Sequence, residues 1–310
     1  MASVLSGFFT IWAIIGVGWL LAHVGVFTVE NQLQMSRLSF FVGSPALLFV
    51  LLQKADLQRL FPASLIVSIA AIAIAGTVYL VLAAVFFRPT PGDKVIGTFA
   101  ACYVNAGNLG IPIATFVLHD ASWLAPILLV QVALLQPLGL TVLDVLAARE
   151  ADRTASLARN LTLPIRNPMT IGTLLGLAVN LLDLPLPRVV QTPLELLAGL
   201  AVPTMLLAFC IALRRGPVPG KGPLLNETLA ISVIKLVLQP AVAFGLAVAF
   251  GLDAAATLAV TVIAGLPTAQ NVFVHSVRYD RATVLARDVI FITTILSIPT
   301  ITLIAGLIGS

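Results

Sequence analysis

At 310 residues, with 59% hydrophobic and only 10% charged side chains, the chain has too little charge for a soluble globular domain, where about a quarter of residues are charged. Its net charge of +4 lies mostly in the joints between apolar runs, where the positive-inside bias accounts for it without nucleic acid or another anionic partner. Cys102 and Cys210 both fall inside apolar runs, which excludes a disulfide framework or a metal-ligand spacing.

Apolar stretches of about 20 residues recur with short polar joints, the pattern of membrane helices rather than barrel strands. Ten spans are predicted. Span 1 covers about Ser3–His23; with no basic residue before it, it is expected to be a retained helix, not a cleaved signal peptide. Span 2, about Leu38–Gln53, carries Gly43, Ser44 and Pro45, and span 3 covers about Ala63–Phe87. Span 4, about Val95–Leu118, is interrupted by Tyr103-Val104-Asn105-Ala106-Gly107-Asn108-Leu109-Gly110-Ile111-Pro112. Span 5, about Ala121–Ala147, carries Gln131, Gln136 and Pro137; five residues apart on an α-helix, the two glutamines do not share one face, so at most one should face a site. Either could instead bond a neighbouring helix.

The joint 149–166 is the most charged in the chain. Span 6 opens at Asn167-Pro168, an N-cap followed by a first-turn proline, and ends near Leu182. Span 7, about Pro193–Leu213, carries Pro203, and span 8, about Leu224–Phe250, carries Lys235. Span 9, about Ala254–His275, is broken at Gly265-Leu266-Pro267-Thr268-Ala269-Gln270-Asn271, and span 10 runs from about Val284 to the end.

The two halves align. Gly16 meets Gly176, Pro45 meets Pro203 and Pro112 meets Pro267, so residues 1–148 and 167–310 read as two five-helix units. An odd number of crossings inverts one unit relative to the other. Basic residues at Arg37, Arg88, Lys94, Arg149, Arg153, Arg159, Arg166, Arg214, Arg215, Lys221, Arg278, Arg281 and Arg287 all fall on one side if the N-terminus is outside. Both termini are therefore expected outside a bacterial inner membrane.

A helix broken in hydrocarbon frees backbone groups that must be buried in protein or face a wet cavity. Paired breaks in corresponding places mark a transport site, whose half-helix dipoles can hold ions. If spans 4 and 9 cross, Asn105, Asn108, Gln270 and Asn271 supply neutral donors and acceptors there, which suits a small carboxylate better than a bare cation. The bland alternative is that Pro112 and Pro267 are simple kinks, and that Pro45 and Pro203 kink helices without ligand contact. Lys235 is read as neutralising a half-helix carbonyl end, binding substrate, exchanging a proton, or snorkelling to the inner surface. The broken spans carry no Asp or Glu in their bodies. His23, His119 and His275 lie near span ends rather than in a ligand cluster, and no motif for ATP hydrolysis or metal catalysis occurs in a suitable context. No cofactor and no enzymatic activity are expected.

Asn105-Ala-Gly107-Asn108-Leu-Gly110-Ile111-Pro112, Asn167-Pro168, Leu174-Leu-Gly176 and Gly265-Leu-Pro267 ahead of Phe273 resemble, in that order and over essentially the whole chain, the auxin efflux carrier family. The resemblance implies ten helices in two inverted repeats with crossing helices 4 and 9. It also implies a scaffold from helices 1, 2, 6 and 7, and a transport domain from helices 3–5 and 8–10 that moves in an elevator fashion. By that resemblance Asn105 bonds a substrate carboxylate, while Ile111 and a helix-5 glutamine line the pocket beside Pro112 and Pro267. The short loops look like the bacterial branch, associated with malonate, malate and similar acids, and a homodimer follows by analogy. The expectation is a secondary transporter of small organic anions; export down an inside-negative potential would need no coupling ion. The alternatives are a sodium- or proton-coupled importer of the bile-acid-carrier kind, or a membrane sensor that binds without moving its ligand.

Overall fold

The computed structural model describes residues 13–14, 16–54, 63–110, 113–118, 120–150 and 167–308. These residues are helical apart from short joints: α1 (16–23), α2 (Val29–Gln53), α3 (Ala63–Phe87), α4 (Pro91–Cys102), α5 (Pro126–Glu150), α6 (Pro168–Leu181), α7 (Arg188–Arg215), α8 (Leu225–Ala249), α9 (Ala254–Ala264), α10 (Asn271–Tyr279) and α11 (Thr283–Ile308). Six of them, α2, α3, α5, α7, α8 and α11, are long and apolar enough to cross a bilayer; α6 and α9 are shorter apolar helices. The chain is an all-helical, multi-pass membrane protein. Most of the charged middle joint, residues 151–166, lies outside the described residues, as do Ile111, Pro112 and the start of span 1.

Two boundaries differ from the sequence reading for local reasons. α2 begins at Val29, nine residues before Leu38, because Thr28 and Asn31 form a reciprocal cap that starts the helix in a polar stretch. α7 begins at Arg188 and is interrupted at Gly199-Leu200, so Pro203 falls in the first turn of its second segment, Ala201–Arg215. Asn167 caps α6 as its place before Pro168 predicts: its side chain accepts from Met169 N at 3.1 Å.

Three of the prolines inside the long helices, Pro45, Pro137 and Pro240, share one device. The π-helical turns Ser39–Gly43, Gln131–Leu135 and Ile234–Leu238 stand directly before Ser44-Pro45, Gln136-Pro137 and Gln239-Pro240. Proline has no N–H to give the carbonyl one turn back. In each case the residue before it donates five residues back instead, Ser44 to Ser39, Gln136 to Gln131 and Gln239 to Ile234, so the helix continues with a widened turn.

Glycines let α2, α6 and α7 pack backbone against backbone. A Cβ on Gly172 would overlap the Pro45 carbonyl, one on Gly176 would strike Phe49, and one on Gly43 would meet Ala201. This is small-residue packing at four-residue spacing along α6. α1 joins the same group, with Gly18 against Cys210, and Arg214 Nε donating to His23 Nδ1 at 3.0 Å. Elsewhere, Tyr79 of α3 fits into the notch at Gly97 of α4 and donates to Glu227 Oε1 of α8 at 2.7 Å.

Gly172→Ala is expected to push α6 off α2 and to destabilise the protein by about 1–3 kcal/mol. Gly245→Ala, with nothing within 4 Å of the added methyl, should leave stability almost unchanged. Thermal unfolding of both variants in detergent measures the difference.

Candidate functional site: a crossing of two broken helices

α4 stops at Cys102 and α9 at Ala264, and the chain segments that follow run antiparallel through the middle of the molecule. Val104 and Thr268 form an isolated β-bridge; Asn105 N donates to Pro267 O at 2.9 Å and Ala269 N to Tyr103 O at 3.1 Å. Each break thus supplies part of what the other lacks. Beyond the bridge the first segment closes into a π-helical turn, Ala106–Gly110, with Gly110 N on Asn105 O at 2.9 Å. The second starts α10 at Asn271.

Side chains from α5 satisfy the next groups. Gln131 Oε1 accepts from Val104 N at 2.9 Å while its Nε2 donates to Val104 O at 3.0 Å. Gln136 Oε1 accepts from Tyr103 Oη at 3.3 Å and from Asn271 Nδ2 at 3.2 Å, and Gln136 Nε2 reaches Met169 Sδ at 3.2 Å. Both glutamines meet the crossing, which corrects the expectation that at most one would. The π turn between them adds a residue, so positions five apart share a face.

From the opposite side, α8 covers the carbonyl ends. Lys235, fully buried, donates from Nζ to Ala264 O at 2.9 Å and to Gln239 Oε1 at 2.8 Å. Gln239 Nε2 in turn donates to Cys102 O at 3.2 Å. The ammonium and its amide partner therefore meet the last carbonyls of α9 and α4, the negative ends of both helix dipoles. Lys235 does not snorkel.

The remaining amides gather on Gln270, whose Oε1 accepts from Asn105 Nδ2 and Asn108 Nδ2, each at 2.9 Å. Asn105 Oδ1 also accepts from Asn108 N at 3.3 Å. A cavity of about 90 Å³ adjoins this cluster, several times what one buried water needs. Asn105, Gly107, Asn108, Gln131, Gln136 and Asn271 line it on one side; Ser44, Leu47 and Leu51 of α2, Met169 of α6 and Val202 and Met205 of α7 line it on the other. Its described lining contains no charged side chain. Gln270 is buried behind it.

The structure places other sequence-selected residues away from the cavity lining. Gly110 packs against Leu124 and Leu266, Gly265 against Ile304, and Pro267 contributes its carbonyl to the bridge. Neither Pro45 nor Pro203 lines the cavity; their predecessors Ser44 and Val202 do, Pro45 being packed on Gly172. Ile111 and Pro112 lie outside the described residues. Sequence reasoning set His275 at a span end, yet it is 1% exposed inside α10, one turn beyond Asn271. Its four-residue spacing from Asn271 was the available signal.

Helices broken at a shared polar crossing, beside a cavity within a multi-pass helical protein, are the architecture of a membrane transporter. The model for the family described as "Membrane transport protein" matches residues 3–161 and 141–305, and the chain belongs to this family, that of the auxin efflux carriers. It is 27% identical over 329 aligned positions to the "Putative malonate transporter" of Rhizobium meliloti, covering 100% of this chain and 97% of that one. It is 29% identical over 291 positions to an "Uncharacterized transporter" of Methanothermobacter thermautotrophicus, covering 91% of each. The family is one of transporters, not enzymes.

Gln131→Leu keeps the volume but strands Val104 N–H, worth about 1–3 kcal/mol when buried without a partner, while Val104 O keeps its bond from Ala106 N at 2.8 Å. Its unfolding in detergent should fall well below wild type. An unfolding temperature within a degree of wild type would show that Gln131 does not hold the break.

Proposed function

We propose that this chain is a secondary transporter of small organic anions, mono- or dicarboxylates of the malonate and malate kind, which binds its substrate in the cavity at the crossing. The observation that carries this reading is the sign of the local field. The carbonyl ends of α4 and α9 are covered by Lys235 and Gln239, whereas Asn271, the first residue of α10, lines the cavity. A ligand there meets a helix N-terminus and amide donors, and N-termini favour anions. The description of the Rhizobium relative as a malonate transporter supports the same class.

In this reading Asn105, Asn108 and Asn271 bond the carboxylate, Gln131 and Gln136 hold the binding edge, and Gln270 positions the two asparagines. Gly107, Gly110 and Gly265 give the backbone room at the breaks. The chain crosses a bacterial inner membrane ten times as two inverted repeats, with both termini outside and the 149–166 joint in the cytoplasm. Helices 1, 2, 6 and 7 of that scheme form the scaffold, paired in a homodimer, against which the rest moves as an elevator. The cavity then opens outward, and the cytoplasmic side is closed where Tyr279 Oη donates to Asp144 at 2.8 Å and Asn167 Nδ2 reaches both, at 3.2 and 3.3 Å.

Asn108→Ala removes one donor while leaving the bridge backbone intact. Counterflow of labelled malonate in proteoliposomes should show a KM raised about tenfold, equivalent to about 1.4 kcal/mol, with the maximal rate little changed. A KM unaffected in both Asn108→Ala and Asn105→Ala would place the substrate elsewhere.

A further inference from the structure

A buried histidine near the centre has no hydrogen-bond partner among the described residues. His275 is 1% exposed, and neither Nδ1 nor Nε2 makes a hydrogen bond. Its ring packs on Phe40 of α2, with centroids 6.2 Å apart and the planes nearly perpendicular, and on Phe99 of α4 at 6.1 Å. It stands about 6 Å along α10 from Asn271, one turn below a cavity-lining residue, with Tyr279 one turn further on. α5 and α10 are tied together above it by Gln136 and Asn271 and below it by Asp144 and Tyr279. The imidazole between these two rungs is left bare. Buried polar groups almost always find partners, and an orphan among aromatic rings is unfavourable unless something else employs it.

Several ionisable groups on the elements around it are engaged elsewhere. On α10 itself Arg278 lies over Phe40 and Phe41, and Tyr279 is held by Asp144 of α5. On α4 Tyr103 donates to Gln136, and on α11 Arg287 and Asp288 pair with each other. Phe209 of α7 packs on Phe273. Among the described residues no carboxylate is bonded to the imidazole, so an imidazolium there has no counter-ion among them. A carboxylate in the cavity, one turn away, supplies one.

Resting on the transporter reading above, we propose that His275 is the proton-carrying residue of an anion–proton symporter. An imidazole nitrogen takes one proton from water on the side where the cavity is open, while the carboxylate is bound, and becomes imidazolium. It returns that proton to water on the other side as the carboxylate leaves; no other bond changes. The imidazolium is not favoured among the aromatic rings unless the anion is bound nearby. Each ligand therefore raises the affinity for the other by the same factor. Movement of α10 along α2 carries the imidazole away from Phe40, which covers it here.

The test uses full-length protein in vesicles loaded with a pH-sensitive dye, with the membrane potential clamped at zero and protein-free vesicles as the control for leak of the undissociated acid. Malonate uptake should carry protons inward with it, and an acid-outside gradient should accumulate malonate at least tenfold. His275→Gln should abolish that accumulation and flatten the pH profile of exchange while still exchanging malonate. Wild-type uptake without proton entry, or gradient-driven accumulation that persists in His275→Gln, would overturn the proposal. The dye measurement on wild type decides the matter even if the variant does not fold. Failure of the wild type to exchange any small carboxylate would instead overturn the transporter reading itself.

Discussion

The structure depends on satisfying the backbone groups released where two helices stop in the buried interior. An unpaired N–H or C=O there costs several kcal/mol, so neither break is tenable alone. The two segments bond each other across the Val104–Thr268 bridge, and the groups left over are taken by Gln131 from one flank and by Lys235 with Gln239 from the other. The crossing is therefore rigid for the same reason that it is polar. That rigidity holds Asn105, Asn108 and Asn271 at the edge of a cavity instead of letting them collapse onto their own backbone.

The same arrangement gives the cavity its electrical character. A lysine in a membrane helix invites the idea of a direct substrate contact, yet Lys235 is not part of the cavity lining and its ammonium donates to Ala264 O and Gln239 Oε1. Covering the negative dipole ends on one side leaves the positive end of α10 to act on the other. In the proposed function an anion is then attracted without a fixed charge that would hold it too tightly to release, which is what a carrier requires.

Much of this was legible in the sequence. Asn, Gly and Pro clusters in mid-span marked both breaks, and Asn167-Pro168 marked the start of α6. The pairing of the breaks could be guessed from their matching positions, but not the antiparallel bridge, which is a long-range contact. Gln131 and Gln136 were misread because their spacing was judged on a 3.6-residue period, whereas Pro137 imposes a π turn that brings them onto one face. The start of α2 was missed because hydropathy does not register the Thr28–Asn31 cap. His275 was set aside for lack of neighbouring ligands in the sequence, although its isolation becomes informative only once the aromatic rings around it are known.

The family places the chain among membrane transporters, and the crossing supplies a physical reason for an anionic cargo. The most direct test of that claim is difference density from the purified protein with bromomalonate, the halogen marking the ligand. The account predicts a carboxylate between Asn105, Asn108 and the N-terminus of α10, with the apolar side of the cavity formed by Met169 and Met205. Density among the arginines at the ends of α7 and α11, with the crossing empty, would contradict it.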